Sequence, residues 1–250
     1  MNKNYIRMIA AALTIAVIAS TGCVFNANRI TTQKSGEISS TNLRIAAIVI
    51  DDVPGDITIN SGTSSLIRAT VTVSEITLVD KADNAADGLS IGIDTLNRKG
   101  NVALSYPSTD PRWELLRVES IALDVDSALK VEARNINGSI TATGIHDSMS
   151  FETTNGSIAA DVQKKFTGKT VNGRINLTVT ADSLRGNINA ETTNGSISIS
   201  VPRGAKAMLN LETTNGGRNC PAGNNSSLNS GGAYTIYCRT TNGNITIVER

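Results

Sequence analysis

The chain has 250 residues, 40% of them apolar but only 3% aromatic, so it can form one large domain or two ordinary ones, with a core resting on Ile, Val, Leu and Ala. The formal net charge is +1, and loss of Lys3 and Arg7 with a leader would bring the remainder to about −1. No basic stripe runs along the chain to attract a phosphate backbone, which argues against a nucleic-acid partner.

Residues 1–22 have the layout of a secretory signal. Lys3 and Arg7 form a basic start, residues 8–19 are an apolar run, and Ser20, Thr21 and Gly22 are small. The run is too short for a comfortable transmembrane helix. Cys23 follows it directly, an arrangement that resembles the bacterial lipobox, although Ser20 stands where that motif usually has Leu. Lipidation of Cys23 would anchor the protein to a membrane, and ordinary cleavage near Ser20 or Gly22 would release it. Residues 23–41 are polar and are expected to be a tether, leaving 42–250 as the domain.

From Leu43 onward the pattern is that of strands. Residues 44–50, 56–59, 66–79, 89–94, 102–106 and 118–125 alternate or are rich in β-branched side chains. Residues 80–87 and 107–111 read as loops. Trp113, the one tryptophan, is expected to be a packing anchor.

The second half is an internal repeat. Its corners are Asn137-Gly138, Asn155-Gly156, Asn172-Gly173, Asn194-Gly195, Asn215-Gly216 and Asn242-Gly243, at glycine intervals of 18, 17, 22, 21 and 27. Seven residues before each glycine stand Val131, Met149, Phe166, Ile188, Leu209 and Ile236. Two after it stand Ile140, Ile158, Ile175, Ile197, Arg218 and Ile245. Apolar residues at odd offsets before the corner and even offsets after it are strand alternation on both sides. Gly55 fits the same frame, with Ile48, Ile50, Ile57 and Ile59 in its apolar slots.

A period near twenty favours an all-β solenoid in which each repeat adds a coil. The alternative is an antiparallel meander of hairpins, since Asn-Gly is also a favoured type I′ turn pair. Four residues before the glycine stand Arg134, Glu152, Lys169, Glu191, Glu212 and Arg239, a ladder of mostly alternating charge. Other outward columns hold Ser139, Ser157, Ser196, Thr141, Ser198, Asn176 and Thr246, which would make a flat hydroxyl- and amide-rich face.

Three cysteines are an odd number for an exported protein. With Cys23 lipidated, Cys220 and Cys238 are left to pair, closing off a Gly- and Asn-rich insertion at 221–232. Two cysteines and the sole histidine, His146, make no zinc set, and no metal or cofactor is expected. His146, Asp147 and Ser150 are close in sequence, which is not triad geometry, and no P-loop, G-x-S-x-G or H-E-x-x-H occurs. Functional sites are expected where the repeat breaks: residues 61–130, Arg218, and the Cys220–Cys238 loop.

Residues 118–132, followed by Asn137-Gly-Ser-Ile140 and the recurring Thr-Thr-Asn-Gly-Ser-Ile, resemble the "putative adhesin" or toastrack domain of bacterial envelope proteins across residues 43–250. That resemblance implies a single right-handed β-solenoid-like domain outside the cytoplasm, and it carries over no catalytic or binding residue. The functional expectation is a non-enzymatic envelope module that contacts a surface polymer or another protein. The rivals are a self-associating structural or stress-related module and a polysaccharide-acting enzyme, the last of which would need carboxylates converging in a groove.

Overall fold

The computed structural model of the protein describes residues 27–39, 46–51, 55–62, 66–78, 89–96, 99–105, 116–145, 147–181, 184–221, 227–229 and 232–250. The signal segment, Cys23, Trp113 and His146 lie outside them. The described residues form two ten-stranded sheets and no helix.

Parallel pairing decides between coil and meander. Strand β8 (Lys130–Asn137) turns at Gly138 into β9 (Ile140–Thr143), β10 (Met149–Asn155) turns into β11 (Ile158–Val162), and β12 (Phe166–Asn172) into β13 (Ile175–Val179). The first strand of each pair stacks on the first strand of the next with the same residues aligned: Met149 beside Val131 and Phe166, Asn155 beside Asn137 and Asn172. The second strands stack likewise in the other sheet, Ile158 between Ile140 and Ile175. A hairpin would pair the two arms of one corner with each other; here they lie in opposite walls. The Asn-Gly meander is therefore excluded for this half of the chain.

Both apolar columns are buried as their spacing predicts. Val131, Phe166, Ile188 and Ile236 line one wall, and Ile140, Ile158, Ile175, Ile197 and Ile245 the other, each fully shielded. Scarce aromatics are placed where a glycine makes room. The rings of Phe151 and Phe166 meet edge to face at 5.9 Å, and a Cβ on Gly168 would run into the Phe166 ring. The Gly55 frame holds as well: β2 (Ala47–Ile50) and β3 (Asp56–Gly62) stack on β8 and β9 and bury Ile48, Ile50, Ile57 and Ile59.

The stretch expected as a polar tether is a strand along most of its length. β1 (Ala27–Ser39) pairs antiparallel with β4 (Leu66–Leu78) along all 13 residues. Its polarity reflects an edge position, with Thr31, Gln33 and Ser35 exposed. A row of backbone donors and acceptors is satisfied by the partner strand whatever the side chains are, which is why a composition typical of a linker was compatible with a strand. β4 pairs antiparallel with β7 (Leu116–Asp126), which runs parallel to β3. In the other sheet β5 (Ser90–Leu96) pairs antiparallel with β6 (Lys99–Ser105), which lies parallel beside β2. Strands β1, β4 and β7 in one sheet and β5 and β6 in the other thus close the N-terminal end of the stack.

The other end departs from sequence order. After β14 (Ile188–Asn194) and β15 (Ile197–Val201), the chain skips one position to lay down β16 (Ala207–Asn215) and the short β17 (Arg218–Asn219). The last strands, β19 (Thr235–Asn242) and β20 (Ile245–Glu249), then fill the vacant slot between them, β19 between β14 and β16 and β20 between β15 and β17. β18 (Ser227–Leu228) pairs with the outer edge of β16 and buries Leu228.

Each corner glycine presses against the previous one. An ideal Cβ on Gly195 would overlap the carbonyl oxygen of Gly173, and the same clash recurs at Gly156, Gly173, Gly243 and Gly216. Gly195→Ala is expected to lower unfolding free energy by roughly 2–4 kcal/mol, because two backbones must separate. Gly204→Ala, at φ +76° with open space around it, should cost only about 1 kcal/mol. Urea unfolding of the two variants checks the contrast, and equal losses would refute the steric account.

Candidate functional site

The corner motif Thr-Thr-Asn-Gly-Ser resolves into parallel ladders. The first Thr points inward and is buried: Thr153, Thr170, Thr192 and Thr240, with Asn135 in the equivalent position of β8. Its hydroxyl donates to the glycine carbonyl of the neighbouring coil, from Thr153 to Gly138 at 3.0 Å, Thr170 to Gly156 at 2.9 Å, Thr192 to Gly173 at 2.9 Å, Thr240 to Gly195 at 2.8 Å and Thr213 to Gly243 at 2.9 Å. Asn135 donates its amide to the Gly55 carbonyl in the same way.

The corner asparagines make a second ladder, each side-chain amide donating to the next one's carbonyl oxygen: 155 to 137, 172 to 155, 194 to 172, 242 to 194 and 215 to 242, all at 2.8–2.9 Å. Each of the five donating asparagines uses one of its two N–H groups there and keeps the other for solvent or a ligand. Each corner glycine lies at a bend between strands of opposite sheets, and a left-handed backbone is not what most of them require. Of these six glycines only Gly138 has a left-handed φ, at +139°. The others are glycine because backbone approaches backbone.

A third ladder follows the glycine. The Asp56 carboxylate accepts from the Ser139 amide, Ser139 Oγ from the Ser157 amide, Ser157 Oγ from the Arg174 amide, Ser196 Oγ from the Asn244 amide, and Asn244 Oδ1 from the Gly217 amide. One rung is missing, at the amide of Ser196. The side chain that should accept from it belongs to Arg174, and a guanidinium has no acceptor. The gap coincides with an open depression of about 610 Å³ lined by Ser157, Asn172, Arg174, Asn194, Ser196 and two corner glycines. Sequence reasoning passed over Arg174; the available signal was a lone basic residue in the column Ser139, Ser157, Arg174, Ser196.

The charged column is regular in space although irregular in sequence. With β19 in its slot the order becomes Arg134, Glu152, Lys169, Glu191, Arg239, Glu212, in strict alternation. Arg134 approaches Glu152 at 3.7 Å and Arg239 approaches Glu212 at 3.8 Å. Glu191 and Glu212, neighbours in the sequence series, are separated by Arg239, so they form no carboxylate pair. Toward the N-terminal end, hydrogen bonding from Lys130 and then Lys99, against some desolvation, holds the Glu132 carboxyl below its ordinary range. Asp147 feels burial, which would raise its pKa, but the Ser148 amide and Lys164 outweigh it and the net shift is downward. Lys164 lies 3.1 Å from it, so Asp147 is engaged in a surface ion pair.

The expected Cys220–Cys238 disulfide is not formed; both thiols are free. Cys238 faces the core from β19, opposite Leu211, whereas Cys220 follows β17 in the other sheet and packs against the core from there. Facing sheets stand about 10 Å apart, and a disulfide needs Cα atoms within about 7 Å. Burial pushes the Cys238 thiol up to about 12. Arg218, the exception in the isoleucine column, is exposed at the end of the stack and reaches across to β16 in the facing sheet, donating to the Leu211 carbonyl at 3.0 Å.

These features define a two-sheet solenoid whose recurring motif builds its corners. The chain belongs to the Toastrack DUF4097 family, whose model matches residues 26–248. Among solved structures it resembles a protein from Clostridium sporogenes described as a "putative cell adhesion protein", at 13% identity with a TM-score of 0.51, over 88% of this chain and all of the other. A "putative adhesin" from Bacteroides fragilis matches at 11% identity with a TM-score of 0.39, over 87% of this chain and 97% of the other. The first likeness shows a shared fold. No curated protein matches the sequence. Among the described residues no three His, Cys, Asp or Glu side chains gather as a metal set.

Three outcomes test the ladders. Thr192→Val leaves the Gly173 carbonyl buried without its donor and should cost about 1–3 kcal/mol in urea unfolding, whereas Thr192→Ser should retain most of the stability. Arg239→Glu places three like charges in a row and should lower the thermal midpoint at low salt, with partial recovery at high salt; a salt-independent loss would point to packing. At pH 8, alkylation followed by peptide mass spectrometry should spare Cys238 in the folded protein. Since the folded pKa of Cys238 lies above the unfolded value, its contribution to stability is present below about pH 9 and is lost as pH rises toward 12.

Proposed function

We propose that the protein is a non-enzymatic adhesion module of the bacterial envelope, exported by residues 1–22 and held at a membrane through a lipid on Cys23. The observation that carries the reading is the outward surface: rows of Asn, Ser and Thr repeat at each coil, a spacing of about 4.8 Å, on a support of stacked parallel strands. Such a surface offers hydrogen-bond donors and acceptors at fixed intervals and suits an extended, hydroxylated polymer. The family and the adhesion description of the Clostridium structure agree with this reading, and in the alternating charged column a basic residue separates successive glutamates, so they do not converge as a carboxylate pair.

Incubation of the purified protein with insoluble envelope polymer, followed by sedimentation and washing, tests adhesion. Retention that free polymer competes away is expected, and no retention on any envelope polymer overturns the reading. Anchoring is tested separately. Radiolabelled palmitate should enter the parent protein and not Cys23→Ala; absence of label from the parent refutes the lipid.

A further inference from the structure

The corner face has one place where the repeating ladder is deliberately incomplete. At every other rung of the post-glycine column that the structure describes from Ser139 to Gly217, the backbone amide donates to an oxygen on the preceding coil: Asp56, Ser139, Ser157, Ser196 or Asn244. The Ser196 amide faces the coil of Arg174 and finds no oxygen there. An amide donor left over at a partly exposed corner is completed by water or by a ligand. What stands beside it is a guanidinium, which brings positive charge and several more donors.

The surroundings are otherwise uncharged. The nearest corner side chains are Asn172, Asn194, Ser157 and Ser196, and the acidic member of the column, Asp56, lies three coils away, about 14 Å at the strand spacing. Arg174 is exposed. Donors thus converge from two coils on the depression of about 610 Å³, with no carboxylate to neutralise them. Within these ladders Asn172 and Asn194 each retain one amide N–H.

We propose that Arg174 and the Ser196 amide form a binding site for a single anionic group, a carboxylate, sulfate or phosphate, carried on a polysaccharide that lies along the corner face. The anion would occupy the position of the missing serine oxygen, accepting from the Ser196 amide while the guanidinium pairs with its charge. The flanking Asn and Ser rows meet the hydroxyl groups of adjoining sugar units. A polysaccharide is favoured over an acidic peptide because the rows are polar and evenly spaced, and no apolar anchor pocket lies among them. This inference rests on the adhesion reading and names the ligand class for it.

The repeat itself supplies the test variant. Arg174→Ser restores the serine of the other coils, giving the Ser196 amide an acceptor, so the fold should be retained or strengthened while the anion site disappears. Amide-resolved NMR titration of the full chain with inorganic phosphate should shift Ser196 in the parent and leave it unmoved in Arg174→Ser. Polygalacturonate, heparin and a wall teichoic acid then distinguish carboxylate, sulfate and phosphate as the natural group, with neutral dextran as control. Binding to at least one acidic polymer should weaken roughly tenfold in the variant, the scale of one charge-assisted contact, and should fall with added salt.

Unchanged binding in Arg174→Ser overturns the site, and so does a parent Ser196 amide that does not respond to phosphate. Poly-glutamate binding as tightly as the best acidic polymer overturns the polysaccharide assignment. Retention on envelope polymer that is indifferent to Arg174→Ser leaves the adhesion reading standing and removes only this inference. Loss of all polymer retention with an intact phosphate response removes both the adhesion reading and the polysaccharide assignment, leaving an anion site alone.

Discussion

The structure depends on a close approach of backbone to backbone at one corner of every coil. The glycine of one coil rests against the glycine carbonyl of the next, with no space for a side chain between them. That carbonyl receives a hydroxyl from a buried threonine. The two facts require each other: the threonine reaches the carbonyl because the glycines let the coils stack closely, and the close stack leaves no water to satisfy the carbonyl otherwise. Asparagine and serine ladders then follow on either side of the glycine. A motif that invites a site assignment by its recurrence is accounted for, residue by residue, as the means of stacking.

Long-range order along the stack comes from a second source, the charged column. Every coil presents nearly the same corner, so the corner alone cannot say which coil belongs beside which. A stack in simple sequence order would put Glu212 beside Glu191 and Arg218 next to Ile197 in the core column. The observed order places Arg239 between the two glutamates and Arg218 at the end, where it stays exposed and its guanidinium reaches the Leu211 carbonyl. Individually such exposed pairs contribute about 0.2–1 kcal/mol. Their role in discriminating between orders with otherwise similar packing is larger than their part in total stability.

Much of this was legible in the sequence. Columns at fixed offsets from glycine identified Val131, Phe166, Ile158 and their counterparts as core, and Gly55 as the first corner, because strand alternation is a local property. Topology was less accessible. Asn-Gly serves both hairpins and coil corners, and only the pairing partners distinguish them. The transposition of the last coil left one trace, the break in charge alternation at Glu191 and Glu212, which has no meaning until strands are placed side by side. β1 was hidden by its own polarity, since an edge strand gains its hydrogen bonds from backbone. The thiols misled for a related reason: Cys220 and Cys238 share inward columns, but those columns belong to opposite walls. Arg174 was visible as an exception in a serine column, yet the orphaned amide it creates belongs to Ser196 and appears only once the coils are stacked.

The late filling of the slot between β14 and β16 gives the chain an unusual dependence on its own end. In an ordinary solenoid, loss of the last coil leaves a shorter solenoid with a new terminal face. Here residues 235–249 are interior to both sheets, so their loss opens a cleft in the wall instead of trimming it. The protein behaves as an arch with residues 235–249 as its keystone. The earlier coils can stack in turn, but β16 and β17 join the two walls only once residues 235–249 lie between them and the rest of the stack.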